Sequence, residues 1–225
     1  MNKLCVVFDL DDTLYKEIDY LKSAYGFIAN QLEARHCSAE RIYNTMLDEY
    51  YNGRNAFAIV KSTFDIDTPT ETLLQWYRTH IPKIALPEDS KNLLDHLRDK
   101  DIPIGILTDG RSITQRNKIN ALGLSDYIPK QNIVISEEFG SEKPDEKNYR
   151  YFESLYPEIE NFIYVGDNPR KDFIAPNRLG WKTIGLLDDG HNVHKQEIAN
   201  AEAAPEIWIP KLSTDLIPLI NAILK

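Results

Sequence analysis

The chain of 225 residues has little sulfur, with only two cysteines, Cys5 and Cys37, and two methionines. Two cysteines cannot build a disulfide framework, so free thiols in a reducing compartment are expected. No apolar stretch is long enough to span a bilayer, and the first apolar run ends at Asp9, too early for a secretory signal. These absences predict a cytoplasmic protein with no membrane partner.

The chain also lacks an excess of basic residues. It has 26 Lys and Arg against 35 Asp and Glu, a formal net charge of −9. Proteins that bind nucleic acid usually present a basic face, so no nucleic-acid partner is expected. A small anionic substrate remains compatible with this charge, because a metal ion and a few local cations can bind it.

Six short apolar runs, rich in Val and Ile and without alternation, predict buried strands of a parallel sheet. They lie at residues 3–10, 102–109, 132–138, 161–167, 182–187 and 206–209. Helical patterns lie between them, with apolar faces formed by Leu93, Leu94 and Leu97 and, further on, by Ile113, Ile119 and Leu122. Strand alternating with helix predicts an α/β fold, a doubly wound, Rossmann-like parallel sheet.

One region interrupts this alternation. Residues 16–84 show no convincing strand, and apolar residues recur there at steps of three and four, beginning with Ile18, Leu21, Tyr25, Ile28 and Leu32. The predicted organisation is therefore an α/β core domain formed by residues 1–15 and 85–225, with an all-helical domain inserted at 16–84.

Polar residues follow four of the predicted segments. They are Asp9 and Asp11 after the first strand, Thr108, Asp109 and Gly110 after the second, Lys143 in the loop after the third, and Asp167 and Asp172 after the fourth. Ligands of doubly wound sheets bind beyond the carboxyl ends of the strands. The clustered carboxylates are thus predicted to surround a cation.

These residue types suit phosphoryl transfer. Two or three carboxylates hold Mg²⁺ beside a phosphate, and an Asp at a strand end can attack phosphorus to form an aspartyl phosphate. A second carboxylate can protonate the leaving alcohol and later deprotonate water. Thr108, Lys143 and loop amides would hold the phosphoryl oxygens and offset their charge.

The stretches "DLDDTLY", "ILTDG", "SEKP" and "GDNPRKD" resemble, in order, the four motifs of the haloacid dehalogenase-like phosphatase superfamily. The helical insert resembles the cap domain of its subfamily I members, and the resemblance covers nearly the whole chain. It implies a hydrolase of phosphoric monoesters that uses Mg²⁺ and acts on a small phosphorylated metabolite.

The resemblance also implies a role for each motif residue. Asp9 would be the nucleophile and a Mg²⁺ ligand, and Asp11 the general acid and base, with its backbone carbonyl on the metal. Thr108 would bind phosphate, and Lys143 would stabilise both phosphate and Asp9. The remaining metal ligands would be Asp167 and Asp172.

Further substrate contacts are predicted at Asp109, Gly110 and Arg111, which follow Thr108, and at Arg54 of the insert. Like Arg54, the residues Tyr20, Lys61 and Trp76 of the insert are weaker candidates than the motif residues, and aromatic residues at helical spacing more often form a core. Asp12 is interpreted as a surface acid, since strand alternation would turn it away from its neighbours.

Several alternatives stay open from the sequence. A phosphomutase or a haloacid dehalogenase would share the fold, although a dehalogenase does not need an acid two residues after its nucleophile. A non-catalytic phospho-accepting module is a further alternative. The sequence leaves open whether the substrate is a nucleotide, a sugar phosphate or a phosphoglycolate-like acid, and whether the protein is a monomer or a homodimer.

Overall fold

A computed structural model describes residues 4–33 and 38–223. The chain divides into two compact units, one formed by Met1–Glu17 with Ala85–Lys225 and the other by Ile18–Ile84. Cys37 lies outside the described residues, and Cys5 is a buried free thiol. None of the described helices combines the length and the apolar character that a membrane-spanning segment needs.

The larger unit is built on a six-stranded sheet in which all strand pairs are parallel. Its strands are β1 Leu4–Phe8, β2 Ile104–Thr108, β3 Ile133–Ile135, β4 Asn161–Gly166, β5 Lys182–Leu186 and β6 Ile207–Ile209. Their order across the sheet is β3-β2-β1-β4-β5-β6. The predicted doubly wound α/β fold is confirmed.

Helices cover this sheet because the strands carry apolar side chains on both faces. They are α5 Glu88–Asp99, α6 Ser112–Ala121, α7 Ser136–Phe139, α8 Glu146–Leu155, α9 Ile174–Arg178 and α10 Ile217–Ile223. The predicted core residues Leu93, Leu94 and Leu97 of α5 are fully buried. Aromatic residues fill the space between β4, α8 and α9, where Phe162 stacks on Trp181 with ring centroids 4.7 Å apart.

The described residues of the smaller unit form four helices, α1 Glu17–Glu33, α2 Ala39–Tyr51, α3 Ala56–Thr63 and α4 Thr70–Thr79. The described part of this unit contains no strand. Its core is formed by the predicted apolar stripe of α1 together with residues of the other three helices, such as Met46, Val60 and Leu73. The role of this unit as a cap stays a prediction.

The strand order reverses at β1, which lies between β2 and β4. Successive connections therefore leave the sheet on opposite sides of β1, and their loops diverge at its carboxyl end. Such a divergence opens the crevice in which doubly wound proteins bind ligands. In this chain the crevice is lined by the residues that follow Phe8 and Gly166.

Two elements differ from what the sequence pattern predicts. Residues 168–180 have a helical pattern, but the helix begins only at Ile174, because the main-chain oxygen of Asn168 accepts the N–H groups of Lys171 and Asp172 in a separate turn. Ile113 was predicted to face the core, but it is 49% exposed, and the buried residues of α6 are Gln115, Lys118 and Ile119.

Candidate active site

Three buried carboxylates meet at the carboxyl ends of β1 and β4. Asp9 follows β1 and Asp167 follows β4, and the main-chain N–H of Asp9 donates to the oxygen of Val165 at 2.8 Å. Asp172 lies in the next turn of chain. One carboxylate oxygen from each of the three residues lies within 4.8 Å of the others.

Lys143 supplies the positive charge of this cluster. Its side chain is fully buried, and its Nζ lies 2.8 Å from Oδ1 of Asp9 and 2.8 Å from Oδ1 of Asp172. It also donates to the Tyr164 hydroxyl at 3.1 Å. A buried ammonium group is stable only when it is paired in this way. Lys143 therefore fixes the nucleophile candidate Asp9 relative to Asp172.

The second oxygen of Asp172 is held by the backbone that follows β4. Its Oδ2 accepts the N–H groups of Asp167 at 3.1 Å and Asn168 at 2.8 Å. A Cβ at Gly166 would lie 2.5 Å from this oxygen, so the close approach requires glycine at that position. The stretch "GDNPRKD" thus determines the backbone conformation after β4 and also supplies two of the carboxylates.

The raised pKa values of the carboxyl groups indicate that Lys143 alone does not compensate the negative charge of the cluster. Burial, with Lys143 opposing it, raises the pKa of the Asp9 carboxyl to about 6. Burial and the charges of Asp172 and Asp9 raise the pKa of Asp167 to about 9. A set of oxygen donors that is difficult to ionise together fits a hard divalent cation, which would stabilise all three as carboxylates.

Asp11 belongs to a second network. Its Oδ1 accepts Lys118 Nζ at 2.7 Å and also the Tyr15 hydroxyl, and its Oδ2 accepts Gln115 Nε2 at 2.9 Å. Burial alone would raise the pKa of Asp11, but the Lys118 charge and these hydrogen bonds outweigh it, so the pKa lies below its usual value. Its side chain is separate from the three-carboxylate cluster, and the predicted metal contact of its backbone carbonyl stays a prediction.

Thr108 lies at the end of β2 and is linked to Asp11 through Gln115. Gln115 Nε2 donates to Thr108 Oγ1 at 2.6 Å as well as to Asp11. Gly110 has a φ of +143°, and a Cβ there would approach the Gln115 side chain at 3.2 Å. Glycine at this position therefore makes room for Gln115.

Asp109, a predicted substrate contact, supports the loops around the site. Its Oδ1 accepts the N–H of Lys143 at 3.1 Å, and its Oδ2 lies 3.2 Å from Lys171 Nζ. The N–H of Gly110 donates to Ser136 Oγ at 3.0 Å. Both of these groups have protein partners, and their contact with substrate stays a prediction.

The two predicted arginines are ion-paired at the surface of their own units. Arg111 Nη1 lies 3.9 Å from Glu137 Oε1, and Arg54 Nη2 donates to Glu49 Oε1 at 2.8 Å. Among the weaker candidates of the insert, Tyr20 is buried and donates to the oxygen of Tyr77. Substrate contacts by these side chains stay predictions.

The interpretation of Asp12 as a surface acid is wrong. Asp12 is 2% exposed, has a φ of +55°, and accepts the N–H of Glu17 at 2.9 Å and that of Val193 at 2.8 Å. Strand alternation does not apply to it because β1 ends at Phe8. Asp12 instead ties the first loop to a distant segment.

That segment, residues 188–197 between β5 and β6, was not predicted to contribute. Asn192 Nδ2 donates to Asp167 Oδ2 at 2.9 Å, and Gln196 Nε2 donates to the main-chain oxygen of Asp167 at the same distance. Lys16 Nζ donates to Asn192 Oδ1 at 2.8 Å. No sequence motif marks this segment, so only the three-dimensional structure reveals it.

The two networks border one cavity of about 110 Å³. Its lining is mostly acidic and comprises Asp9, Asp11, Asp12, Glu17, Thr108, Asp109, Asp167, Asn168, Lys171 and His194. The predicted site residues Asp9, Asp11, Thr108 and Asp167 thus lie around one space. Glu17 and His194 were missed because they lie outside the four motifs, and Lys171 was missed although it lies within the fourth.

Comparison with known proteins agrees with this geometry. Residues 6–186 match the family model described as haloacid dehalogenase-like hydrolase. The chain is 29% identical to glyceraldehyde 3-phosphate phosphatase of Methanocaldococcus jannaschii, covering 81% of this chain and 84% of that protein. It is 27% identical to ribulose-1,5-bisphosphate 5-phosphatase of Halopiger xanaduensis, covering 88% and 90%. The names of these relatives agree with the predicted enzyme class, a phosphoric monoester hydrolase.

A solved structure gives the same fold. The HAD-hydrolase YfnB from Bacillus subtilis, bound to magnesium, superposes with a TM-score of 0.68 at 19% identity, covering 98% of this chain and all of that one. The family model spans most of the chain and includes all four motifs with their converging side chains. The chain therefore belongs to the haloacid dehalogenase-like hydrolases.

Proposed function

We propose that this protein is a Mg²⁺-dependent phosphatase that hydrolyses a small phosphomonoester through an aspartyl phosphate on Asp9. The observation that carries the proposal is the Lys143 bridge between Asp9 and Asp172, with Asp167 in the same cluster. This arrangement holds one carboxylate oxygen of Asp9 beside the ammonium group of Lys143, in the crevice at the carboxyl ends of the strands. It matches the needs of a nucleophile that must approach a phosphate dianion.

Asp9 and Asp11 divide the chemistry between them. Lys118 holds Asp11 ionised in the free protein, so Asp11 takes up a proton when the phosphate dianion binds beside it and raises its pKa. A carboxylate oxygen of Asp9 attacks phosphorus, the bond from phosphorus to the ester oxygen breaks, and Asp11 gives the leaving alcohol this proton. Water then attacks the phosphorus of the aspartyl phosphate and gives a proton to Asp11. Inorganic phosphate leaves, and both carboxyl groups return to their starting forms.

Asp9, Asp167 and Asp172 are the residues that would hold Mg²⁺, with the Asp11 backbone carbonyl as a further predicted ligand. The ion would neutralise part of the negative charge on the transferring phosphoryl group. Lys143 would offset more of this charge, and the Thr108 hydroxyl would hold one phosphoryl oxygen. Carboxylates outnumber ammonium groups around the cavity, so an anionic substrate depends on the added charge of the ion.

The substrate is proposed to be a short phosphorylated metabolite. The relatives are named for glyceraldehyde 3-phosphate and ribulose-1,5-bisphosphate, and another is named phosphoglycolate phosphatase. Each name denotes a phosphate ester on a short oxygenated carbon chain. The cavity of about 110 Å³ in the larger unit suits a phosphoryl group and few further atoms. Arg54 and Arg111 are proposed to contact the remainder of the substrate.

The alternatives differ in what happens to Asp11 and to phosphate. A dehalogenase does not need an acid at Asp11, yet here that residue is partly buried and held by three side chains. A phosphomutase would return the phosphoryl group to a sugar, and a non-catalytic module would release no phosphate. Release of inorganic phosphate without a bisphosphate primer distinguishes hydrolysis from both.

A panel of phosphorylated metabolites, assayed for phosphate release, tests the proposal. We expect turnover with Mg²⁺, none with EDTA, and recovery when Mg²⁺ is added back. Asp9→Asn should lower turnover at least about 10⁴-fold, because the amide cannot form the aspartyl phosphate. Unchanged activity in Asp9→Asn would exclude the covalent mechanism, and indifference to EDTA would exclude the metal.

A further inference from the structure

Helix α6 presents two buried polar side chains to the site. Gln115 is 2% exposed and Lys118 is 3% exposed, an unusual environment for a lysine. The two residues are three positions apart, so they lie on the same face of the helix. Between them they contact both oxygens of the Asp11 carboxylate.

Gln115 links two site residues through one amide nitrogen. Its Nε2 lies 2.6 Å from Thr108 Oγ1 and 2.9 Å from Asp11 Oδ2, so its two hydrogens can serve both groups. The backbone accommodates this side chain, since a Cβ at Gly110 would crowd it. Gln115 therefore spans the end of β2 and the loop after β1.

Lys118 fixes the other oxygen of Asp11. Its Nζ lies 2.7 Å from Asp11 Oδ1 and 3.7 Å from Glu17 Oε1. With one oxygen held by an amide and the other by an ammonium group, rotation of the carboxyl group about its bond to Cβ would break contacts on both sides. A carboxyl group that must deliver a proton to one particular oxygen needs this kind of restraint.

We infer that Gln115 and Lys118 are positioning residues, which aim the Asp11 carboxyl group at the oxygen of the leaving alcohol. This inference rests on the proposed function, because it assumes that Asp11 handles protons. Gln115 also sets the place of Thr108, and with it the distance between the phosphate-binding hydroxyl and the proton donor. Neither residue needs to touch the substrate.

The leaving group provides the test, since an alkoxide needs a proton far more than 4-nitrophenolate does. The rate of alcohol release in the first turnover is measured with 4-nitrophenyl phosphate and with the best alkyl phosphate from the panel. For Gln115→Met and Lys118→Met we expect a loss of about 100-fold on the alkyl ester and less than about 5-fold on the aryl ester. Gln115→Met is neutral and similar in size, so it should fold even where Lys118→Met does not.

Two controls separate the explanations. Arg116 lies between the two residues on α6 but donates to Glu138 at 2.9 Å, and Arg116→Met should leave both rates unchanged. Asp11→Asn should show the same selective loss as Gln115→Met. Equal losses on both esters, or no loss, in Gln115→Met would overturn the inference if Asp11→Asn remains selective. A non-selective Asp11→Asn would instead refute the proton transfer in the proposed function, and the inference with it.

Discussion

A single side chain, Lys143, supplies the positive charge within the cluster of Asp9, Asp167 and Asp172. Its ammonium group lies 2.8 Å from Asp9 and from Asp172, and no part of its side chain reaches solvent. Removing one partner of a buried ion pair leaves the other charges without compensation, which costs more than the pair itself contributes. Lys143 is therefore expected to matter for stability as well as for the proposed chemistry.

Lys143→Met is expected to abolish phosphatase activity and to lower the free energy of unfolding by about 3–5 kcal/mol. Urea denaturation in EDTA measures the second effect. Lys91→Met, at an exposed lysine of α5, should change stability by less than about 0.5 kcal/mol. An unfolding curve of Lys143→Met that matches the wild type would contradict the structural role.

Some residues of the site could be predicted from sequence and others could not. Asp9, Asp167 and Lys143 are identifiable because they stand directly after apolar strands or in a loop of a recognisable motif. Asp12 has the same local setting, but its carboxylate is fixed by Val193 from a distant segment. Contacts between residues so far apart in the sequence leave no periodic pattern. Strand alternation therefore led to the wrong interpretation of Asp12 as a surface acid.

At the scale of elements, α6 shows how polar burial misleads pattern analysis. The apolar residues Ile113, Ile119 and Leu122 predict its inward face, yet Ile113 is exposed and Gln115 and Lys118 are buried. A hydrophobic pattern identifies the face that meets a hydrophobic core. It fails where a helix faces a charged site, because the partners there are carboxylates and hydroxyls.

Residues 188–197, between β5 and β6, form the second element that bears on the proposed function. Asp188 Oδ1 accepts three successive backbone N–H groups, from Gly190, His191 and Asn192, which fixes the turn. This turn positions the Asn192 side chain, whose amide donates to the proposed metal ligand Asp167. Groups that orient a metal ligand from outside commonly control metal affinity.

Asn192→Ala is expected to raise the Mg²⁺ concentration for half-maximal activity about 10-fold, because Asp167 loses a group that orients it. Titration of activity with Mg²⁺ provides the measurement. Lys195→Ala, at an exposed residue of the same segment, serves as the matched control. An unchanged Mg²⁺ requirement in Asn192→Ala would show that the segment has no influence on the metal site.

At the scale of the whole molecule, the acidic site should make stability depend on pH. The pKa of Asp9 is raised from 3.8 to about 6, that of Asp167 from 3.8 to about 9, and burial raises that of Glu17 from 4.5 to about 7. At these three groups the folded protein thus binds more protons than the unfolded chain between about pH 4 and 9. Stability must fall as pH rises through this range.

In EDTA, the melting temperature is therefore expected to decrease from pH 5.5 to pH 8.5. Mg²⁺ should reduce this decrease, because a cation that binds the carboxylates replaces the protons. Asp167→Asn removes the group with the highest pKa of the three and should flatten the profile in EDTA. A melting temperature in EDTA that rises over the same range would contradict the raised pKa values.

The fold was more predictable than the site because each strand is encoded locally. A Val- and Ile-rich run between turn residues predicts β1 or β4 without knowledge of its neighbours, and the alternation with helices predicts the parallel sheet. Short elements were less well defined. The π-helical turn at Leu212–Leu216, which precedes α10, depends on packing that the sequence pattern does not contain.

The position of β1 in the sheet also has a consequence for synthesis of the chain. The interior strand β1 is synthesised before both of its neighbours in the sheet, and one of them, β4, begins only at Asn161. Until β4 emerges from the ribosome, one edge of β1 has no partner strand. Asp9 at the end of β1 then also lacks its neighbours Asp167 and Asp172. Nascent chains arrested before Asn161 should therefore remain sensitive to proteases, whereas chains released after β5 should be resistant.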